Sequence, residues 1–236
     1  MTLTSRFRCL LDLQLFSITR SLRRFIETWT SVSDGKVVLD VGCGEQPFRA
    51  LFDPKETSYF GLEVPIANDQ FGMSLASPNL VVYDGHRFPI RSHSVDLVLL
   101  IEVLEHVQNR EQLLLEVSRV LREGGVVLAT VPWSARVHYE PYDFVRFTPF
   151  GLEALFNECG MTVTSIQARG TTLAVVANKM LMGLIDAFRY SRPSLLLFIL
   201  LLPIVALLHV LGFAGIFMRM SSHTDPLGYT LTAKPK

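Results

Sequence analysis

Cysteine is scarce in this chain of 236 residues, and neither sign of charge is in excess. Cys9, Cys43 and Cys159 are widely spaced, odd in number and outside any Cys-x-x-Cys pair, which excludes a disulfide framework and suggests no zinc site. A reducing compartment fits that pattern. Lys plus Arg, at 22, balance Asp plus Glu, at 22, so no net field draws nucleic acid or an acidic substrate. Internal repeats and low-complexity tracts are lacking. No signal peptide is expected, because Asp12 and Gln14 interrupt the apolar run behind Arg6 and Arg8 and no small-residue cleavage site follows. Apolar side chains, by contrast, are plentiful. They make up 49% of the residues and the mean hydropathy is +0.33, high enough to point to an apolar segment beyond an ordinary core.

From Ser5 to Trp29, apolar residues recur at three- and four-residue steps (Phe7, Leu10, Leu11, Leu15, Ile18, Leu22, Phe25, Ile26), the period of a helix stripe. Arg6, Arg8, Arg20, Arg23 and Arg24 decorate it, so the helix either packs on a domain with a solvated basic side or lies on anionic lipid. Residues 31–35 read as a linker. Short apolar runs then alternate with helical patterns, the mark of β-α-β units and a parallel sheet. Strands are predicted at Lys36–Val41, Ser58–Leu62, Leu80–Tyr83, Val95–Leu100, Val126–Val131 and Thr162–Gln167, with a last one at Leu227–Ala233. The clearest helices are Arg110–Leu121, stopped by Glu123-Gly124-Gly125, and Pro149–Cys159, stopped by Gly160.

Ser194–Met218 stands apart: 25 residues without Asp, Glu, Lys or Arg. A membrane span needs about 20 apolar residues, so length allows one. Pro203, Gly212 and Gly215 weaken the run, and two short helices forming a hairpin in one leaflet are equally allowed. Arg189, Arg192 and Arg219 flank it as cationic anchors would. The alternative is a dimer interface or a buried helix pair. The organisation expected is an amphipathic helix over residues 1–34, an α/β domain over 35–170 and 227–236, and an apolar insertion over 171–226.

The first predicted strand runs into Asp40-Val41-Gly42-Cys43-Gly44-Glu45. Glycines there permit a tight turn at the carboxyl end of a strand, where open α/β sheets bind ligands. Glu63, 19 residues beyond Gly44, is placed to accept hydrogen bonds from ribose hydroxyls. Pro47 stands where a dinucleotide fingerprint has its third glycine, and Asp40 would repel a phosphate but suit a cationic ligand.

These residues resemble the class I S-adenosylmethionine-dependent methyltransferases whose first motif reads D-x-G-x-G. Residues 39–44 look like the cofactor loop, Gly61-Leu62-Glu63 like the ribose-binding strand end, and Tyr83-Asp84-Gly85-His86-Arg87-Phe88-Pro89 like the segment whose Asp contacts adenine. Ser94–Val98 followed by Glu102-Val103-Leu104-Glu105-His106-Val107 resembles the fourth strand and the turn after it. The resemblance implies a Rossmann-like doubly wound sheet, mostly parallel with an antiparallel last strand, and S-adenosylmethionine as cofactor. The cofactor-binding set it implies is Asp40, Gly42, Gly44, Glu63, Asp84, Gly85 and Glu102. Cys43 reads as a small buried side chain, and Glu105-His106 as a metal or base pair or, more simply, the start of a helix; no metal is assigned.

A sulfonium is already an excellent leaving group, so the protein supplies positioning and, for a hydroxyl acceptor, a base. The base is sought in residues 132–148, whose His138-Tyr139-Glu140-Pro141-Tyr142-Asp143-Phe144-Val145-Arg146-Phe147-Thr148 resembles a stretch found in methyltransferases associated with bacterial surface-glycan synthesis. His138 is the first choice, since imidazole titrates near pH ~6.5, and Asp143 the second. Alternatively, Glu140, Asp143 and Arg146 only fix the loop by ion pairs. The expectation is methyl transfer to a glycan, lipid-linked or small lipophilic acceptor at the cytoplasmic face of a membrane. A nicotinamide-dependent oxidoreductase and a noncatalytic scaffold remain as rivals.

Overall fold

A computed structural model describes residues 12–30, 35–190, 194–218, 220–222 and 224–236, without side chains at 30, 187–190 and 194–198. Phe7, Leu10, Leu11, Arg6, Arg8, Cys9, Arg192, Arg219 and most of the expected 31–35 linker lie outside the described residues, as does the side chain of Arg189. Two compact units emerge. Among the described residues, one gathers Asp12–Ser21 with Trp133–Ala135 and Ala168–Gly228; the other holds Leu22–Pro132, Arg136–Gln167 and Tyr229–Lys236.

The larger unit is a seven-stranded sheet: β1 (Lys36–Val41), β2 (Thr57–Glu63), β3 (Leu80–Val82), β4 (Val95–Ile101), β5 (Leu121–Pro132), β6 (Met161–Arg169) and β7 (Gly228–Pro235). Their order is β3-β2-β1-β4-β5-β7-β6, mostly parallel with one antiparallel strand, the doubly wound arrangement expected. β1 pairs in parallel with β2 (Asp40 opposite Gly61) and with β4 (Asp40 opposite Leu99), so chain direction outward from the centre reverses between β1 and β4. That reversal opens the ligand crevice of such sheets at the carboxyl ends of the strands. The central strands bury both faces, as crossover helices require: Leu97, Val98, Leu99 and Leu100 are fully enclosed.

Along the chain the helices are α1 (Leu13–Thr30), a single turn α2 (Ile66–Asp69), α3 (Arg110–Val120), α4 (Pro149–Glu158), α5 (Thr172–Tyr190) and α6 (Ser194–Phe217). Caps set three starts. The Asp12 carboxylate accepts from the amides of Gln14 and Leu15, Asn109 from Gln112, and Thr148 from Gly151, where Pro149 fills the first helical position. α3 ends at Val120, and Glu123-Gly124-Gly125 is not a separate stop and turn but lies within β5. The register shows why: Val95 pairs with Leu121 and Leu97 with Val126, so β5 carries extra residues as a bulge, with Gly124 at φ +77°.

The smaller unit is built on α5 and α6 with the first turns of α1. Leu13, Ala174, Val175, Ala177, Ile216 and Leu227 form its core, joined by Phe16, Leu208 and Phe213. Phe16 and Phe213 meet edge to face at 4.8 Å. Arg20 donates to the Phe217 carbonyl (2.7 Å) and lies over the Phe217 ring, a cation at the carbonyl-bearing end of α6. Of the two arrangements allowed for the apolar run, the one divided at Pro203 does not occur: α6 runs through it for 24 residues. Helix-forming leucines on both sides hold the helix across the one missing donor. The helical pair is therefore α5 with α6, not two halves of the apolar run.

Candidate active site

The turn after β1 is tied to the end of β2. Gly42 and Cys43 donate their amides to the Leu62 carbonyl (2.8 and 3.4 Å), and Gly44 donates to Oε2 of Glu63 (2.7 Å). Gly42 and Gly44 have φ of +66° and +50°, which glycine adopts freely. Gly61 serves the same turn from across the strand pair. A Cβ there would meet the Gln46 amide at 2.3 Å and the Cys43 sulfur at 2.6 Å, so bare backbone is what lets the loop close onto β2.

Glu63 is the last residue of β2 and is 6% exposed. Its other oxygen accepts from the Val64 amide (2.9 Å). A carboxylate has about four acceptor sites, so two remain for a diol. Burial raises its pKa despite those two amide donors. Asp40 is turned inward. It is 2% exposed and accepts from the Tyr59 hydroxyl; burial pushes its pKa up to about 7, opposed by that hydrogen bond and reinforced by Glu63. Tyr59 was not legible in the motif, for only the β1–β2 register brings it alongside. Cys43 is buried, and burial with the Asp40 and Glu63 charges drives its thiol pKa upward, which removes it as a nucleophile.

Asp84 is exposed and begins a turn, accepting from the amides of His86 (2.9 Å) and Arg87 (3.3 Å), which lower its pKa. Gly85 follows at φ +83°. Asp84 lines an open cleft of about 590 Å³ with Val64, Ile66, His106, Tyr142 and Phe144. Glu102 directly follows β4 with φ +54°, unusual for a residue with a side chain, and its amide donates to the Thr130 carbonyl (2.9 Å).

The loop after β5 is fixed by Asp143. Its carboxylate takes a two-pronged ion pair from Arg146 and accepts the His138 amide (3.0 Å), and these hold its pKa down to about 2. The same carboxylate lies 3.2 Å from Nδ1 of His138, which also faces the Arg136 carbonyl (3.1 Å). His138 stands edge-on to His106, with ring centroids 4.7 Å apart. Glu105-His106 does not start a helix; the pair lies in a single 3-10 turn, Leu104–His106, and α3 begins only at Arg110. Glu105 is fully buried, and desolvation together with Glu102 raises its pKa far above a surface carboxylate's. Sequence reasoning missed Phe71, which meets Tyr139 (4.8 Å) and Tyr142 (6.0 Å) edge-on; no short-range pattern joins residues so distant in sequence.

The open α/β sheet thus carries an acid-led glycine turn at its switch point. Residues 39–129 match the family model described as a methyltransferase domain. A probable S-adenosylmethionine-dependent methyltransferase of Mycolicibacterium smegmatis is 30% identical over 118 residues, covering 49% of this chain and 45% of that one. An uncharacterized methyltransferase of Mycobacterium leprae is 36% identical over 107 residues, covering 42% and 38%. The chain thus spans less than half the length of these curated relatives. Among solved structures, an S-adenosylmethionine-dependent methyltransferase of Archaeoglobus fulgidus superposes with TM-score 0.55 at 15% identity, covering 92% of this chain and 94% of that one. The [4+2]-cyclase SpnF does so with TM-score 0.56 at 18% identity, covering 91% and 80%. The domain family implies S-adenosylmethionine as cofactor, and the loop fits it. The amides a pyrophosphate would need are already bound to Leu62 and Glu63, and two carboxylates stand beside the turn.

Proposed function

We propose that this protein transfers the methyl group of S-adenosylmethionine to a glycan, lipid-linked or small lipophilic acceptor at the cytoplasmic face of a membrane. The observation that carries the cofactor half is Glu63, which ties the glycine loop through Gly44 and keeps acceptor sites for the ribose. In this reading Gly42 and Gly44 let the cofactor approach the backbone. Asp40, held by Tyr59 behind the turn, is the acid whose ionised form a cationic cofactor would favour. Asp84 and Gly85 meet the adenine, and Glu102 borders the cofactor from the turn after β4.

The membrane half rests on α6. Ile199–Phe217 has a mean hydropathy of 2.5, and only 22% of the apolar window is buried. Leu200, Leu207, Val210 and Phe217 are each more than half exposed. Connectivity argues against a single crossing, because β6 before the helical pair and β7 after it belong to one sheet. α5 carries Lys179, Asp186 and Arg189 and is no second span, so α6 lies within one leaflet. The wild-type chain is expected to float with anionic vesicles, and the Leu207→Glu, Val210→Glu variant to remain soluble and behind. Equal flotation of both would overturn the membrane reading.

For the acceptor's proton, His138 with Asp143 behind its Nδ1 forms a base and orienting carboxylate, leaving Nε2 as proton acceptor. Asp143, ion-paired and with a pKa of about 2, is too weak a base itself and acts by positioning. His138→Ala should lower kcat by about 100-fold or more, with cofactor affinity unchanged within about twofold. An unchanged kcat would remove His138 from the reaction. The function itself is tested by mass spectrometry of cell glycans and lipids with and without the gene, which should show a methyl-sized mass difference. The fold shared with a [4+2]-cyclase supports a second reading, cofactor binding without transfer; cofactor bound and no methylated product would favour it.

A further inference from the structure

Glu105, His106 and His138 each present a ligand atom within 4.8 Å of the other two. Glu105 is completely buried, yet neither of its carboxylate oxygens has a hydrogen-bond partner from another described residue, and Nε2 of His106 is likewise buried and unpartnered. Burying a carboxylate without a partner is costly, so a group that satisfies it is missing from the protein's own side chains. The two imidazoles are already oriented for such a group. Nδ1 of His106 is held by the Tyr142 carbonyl (2.6 Å) and Nδ1 of His138 by the Arg136 carbonyl (3.1 Å), which leaves Nε2 of each as the free nitrogen. A backbone carbonyl on one ring nitrogen is the usual support of a metal-binding histidine. Arg146 gives both its terminal nitrogens to Asp143, and among the described residues it reaches Glu105 by charge and not by a hydrogen bond.

From this we infer that Glu105, His106 and His138 form a site for one divalent cation of the zinc class. Two imidazole nitrogens and a carboxylate suit zinc, cobalt or ferrous ion better than magnesium, which prefers oxygen ligands and retained waters. Tetrahedral bonds of ~2.1 Å place ligand atoms roughly 3.4 Å apart. Nε2 of His106 and Oε1 of Glu105 already stand 3.7 Å apart, and the widest separation, up to 4.8 Å, closes by roughly 1.4 Å through a shift of the partly exposed His138. Three protein ligands leave a tetrahedral ion one open position, where a hydroxyl or water binds and loses its proton to solvent more readily. A proton and the ion compete for Nε2 of His138, so the loaded protein offers a Lewis acid in place of the imidazole base.

The test uses the full chain with Zn2+ or Co2+ alone, without cofactor or acceptor, and therefore stands or fails separately from the methyl-transfer reading. Competition against a chromophoric chelator should give one Zn2+ per chain, and Co2+ should show a visible band of low-coordinate geometry that excess Zn2+ removes and Mg2+ does not. His138→Ala and Glu105→Gln should each weaken binding by about 100-fold or more, while His93→Ala, away from the cluster, leaves it unchanged. If Glu105→Gln fails to fold, His138→Ala carries the test, since its side chain is 30% exposed. No stoichiometric binding by the wild type, or unaltered binding by His138→Ala, overturns the site.

Discussion

Gly42→Ala should abolish measurable S-adenosylmethionine binding, with affinity at least about 100-fold below wild type. Two costs coincide at this position. A φ of +66° is unfavourable for any residue with a Cβ, by roughly 1–2 kcal/mol. The new methyl would also stand 2.7 Å from Cγ2 of Val103, a nearly buried β-branched side chain with little freedom to turn away. The loop must then leave its place over β2, breaking the bonds from Gly42 to Leu62 and from Gly44 to Glu63. Calorimetric titration reads the loss, and the thermal midpoint shows whether the rest of the sheet survives. Adding Val103→Ala removes the clash but not the backbone strain, so part of the affinity should return. Wild-type affinity in Gly42→Ala alone would mean that this turn does not carry the cofactor.

The second large effect is expected at Glu63. Glu63→Gln keeps the shape but replaces one acceptor oxygen with an –NH2 group, which cannot accept from Gly44 or Val64 and cannot accept from a ribose hydroxyl. Hydrogen bonds to a charged group contribute about 1.5–3 kcal/mol each, so losing two lowers affinity by about 100-fold or more. Stability should change little by comparison. Burial already disfavours the charge on Glu63, as its raised pKa records, so the variant gains from neutrality part of what it loses in bonds. A large drop in affinity with a nearly constant thermal midpoint separates a binding role from a merely structural one. Were the two to fall together, Glu63 would be only the clasp of the loop.

The cofactor end of the fold could be read because its signals are local. Strand, acid and glycines follow one another from Lys36 to Gly44, and the alternation of apolar runs with helical patterns places β1 through β4 within a residue or so. Where partners are distant, the sequence is silent. Asp40 carries no mark of Tyr59 until the β1–β2 register is known, and then its carboxylate is found turned into the protein. Gly124 and Gly125 read as a helix stop, yet a bulge absorbs them into β5, since pairing with β4 outweighs their local preference. Pro203 allows a break, yet α6 continues through it. Glu105 and His106 are visible as a pair, but only the folded loop adds His138 to them and reveals that the buried carboxylate has no partner.

Titration calorimetry of the intact chain with S-adenosylmethionine and with NAD, in separate runs, tests the central claim most directly. The tied glycine loop, the two carboxylates beside it and Glu63 predict one S-adenosylmethionine bound per chain and no heat from NAD. Binding of NAD without binding of S-adenosylmethionine would contradict it.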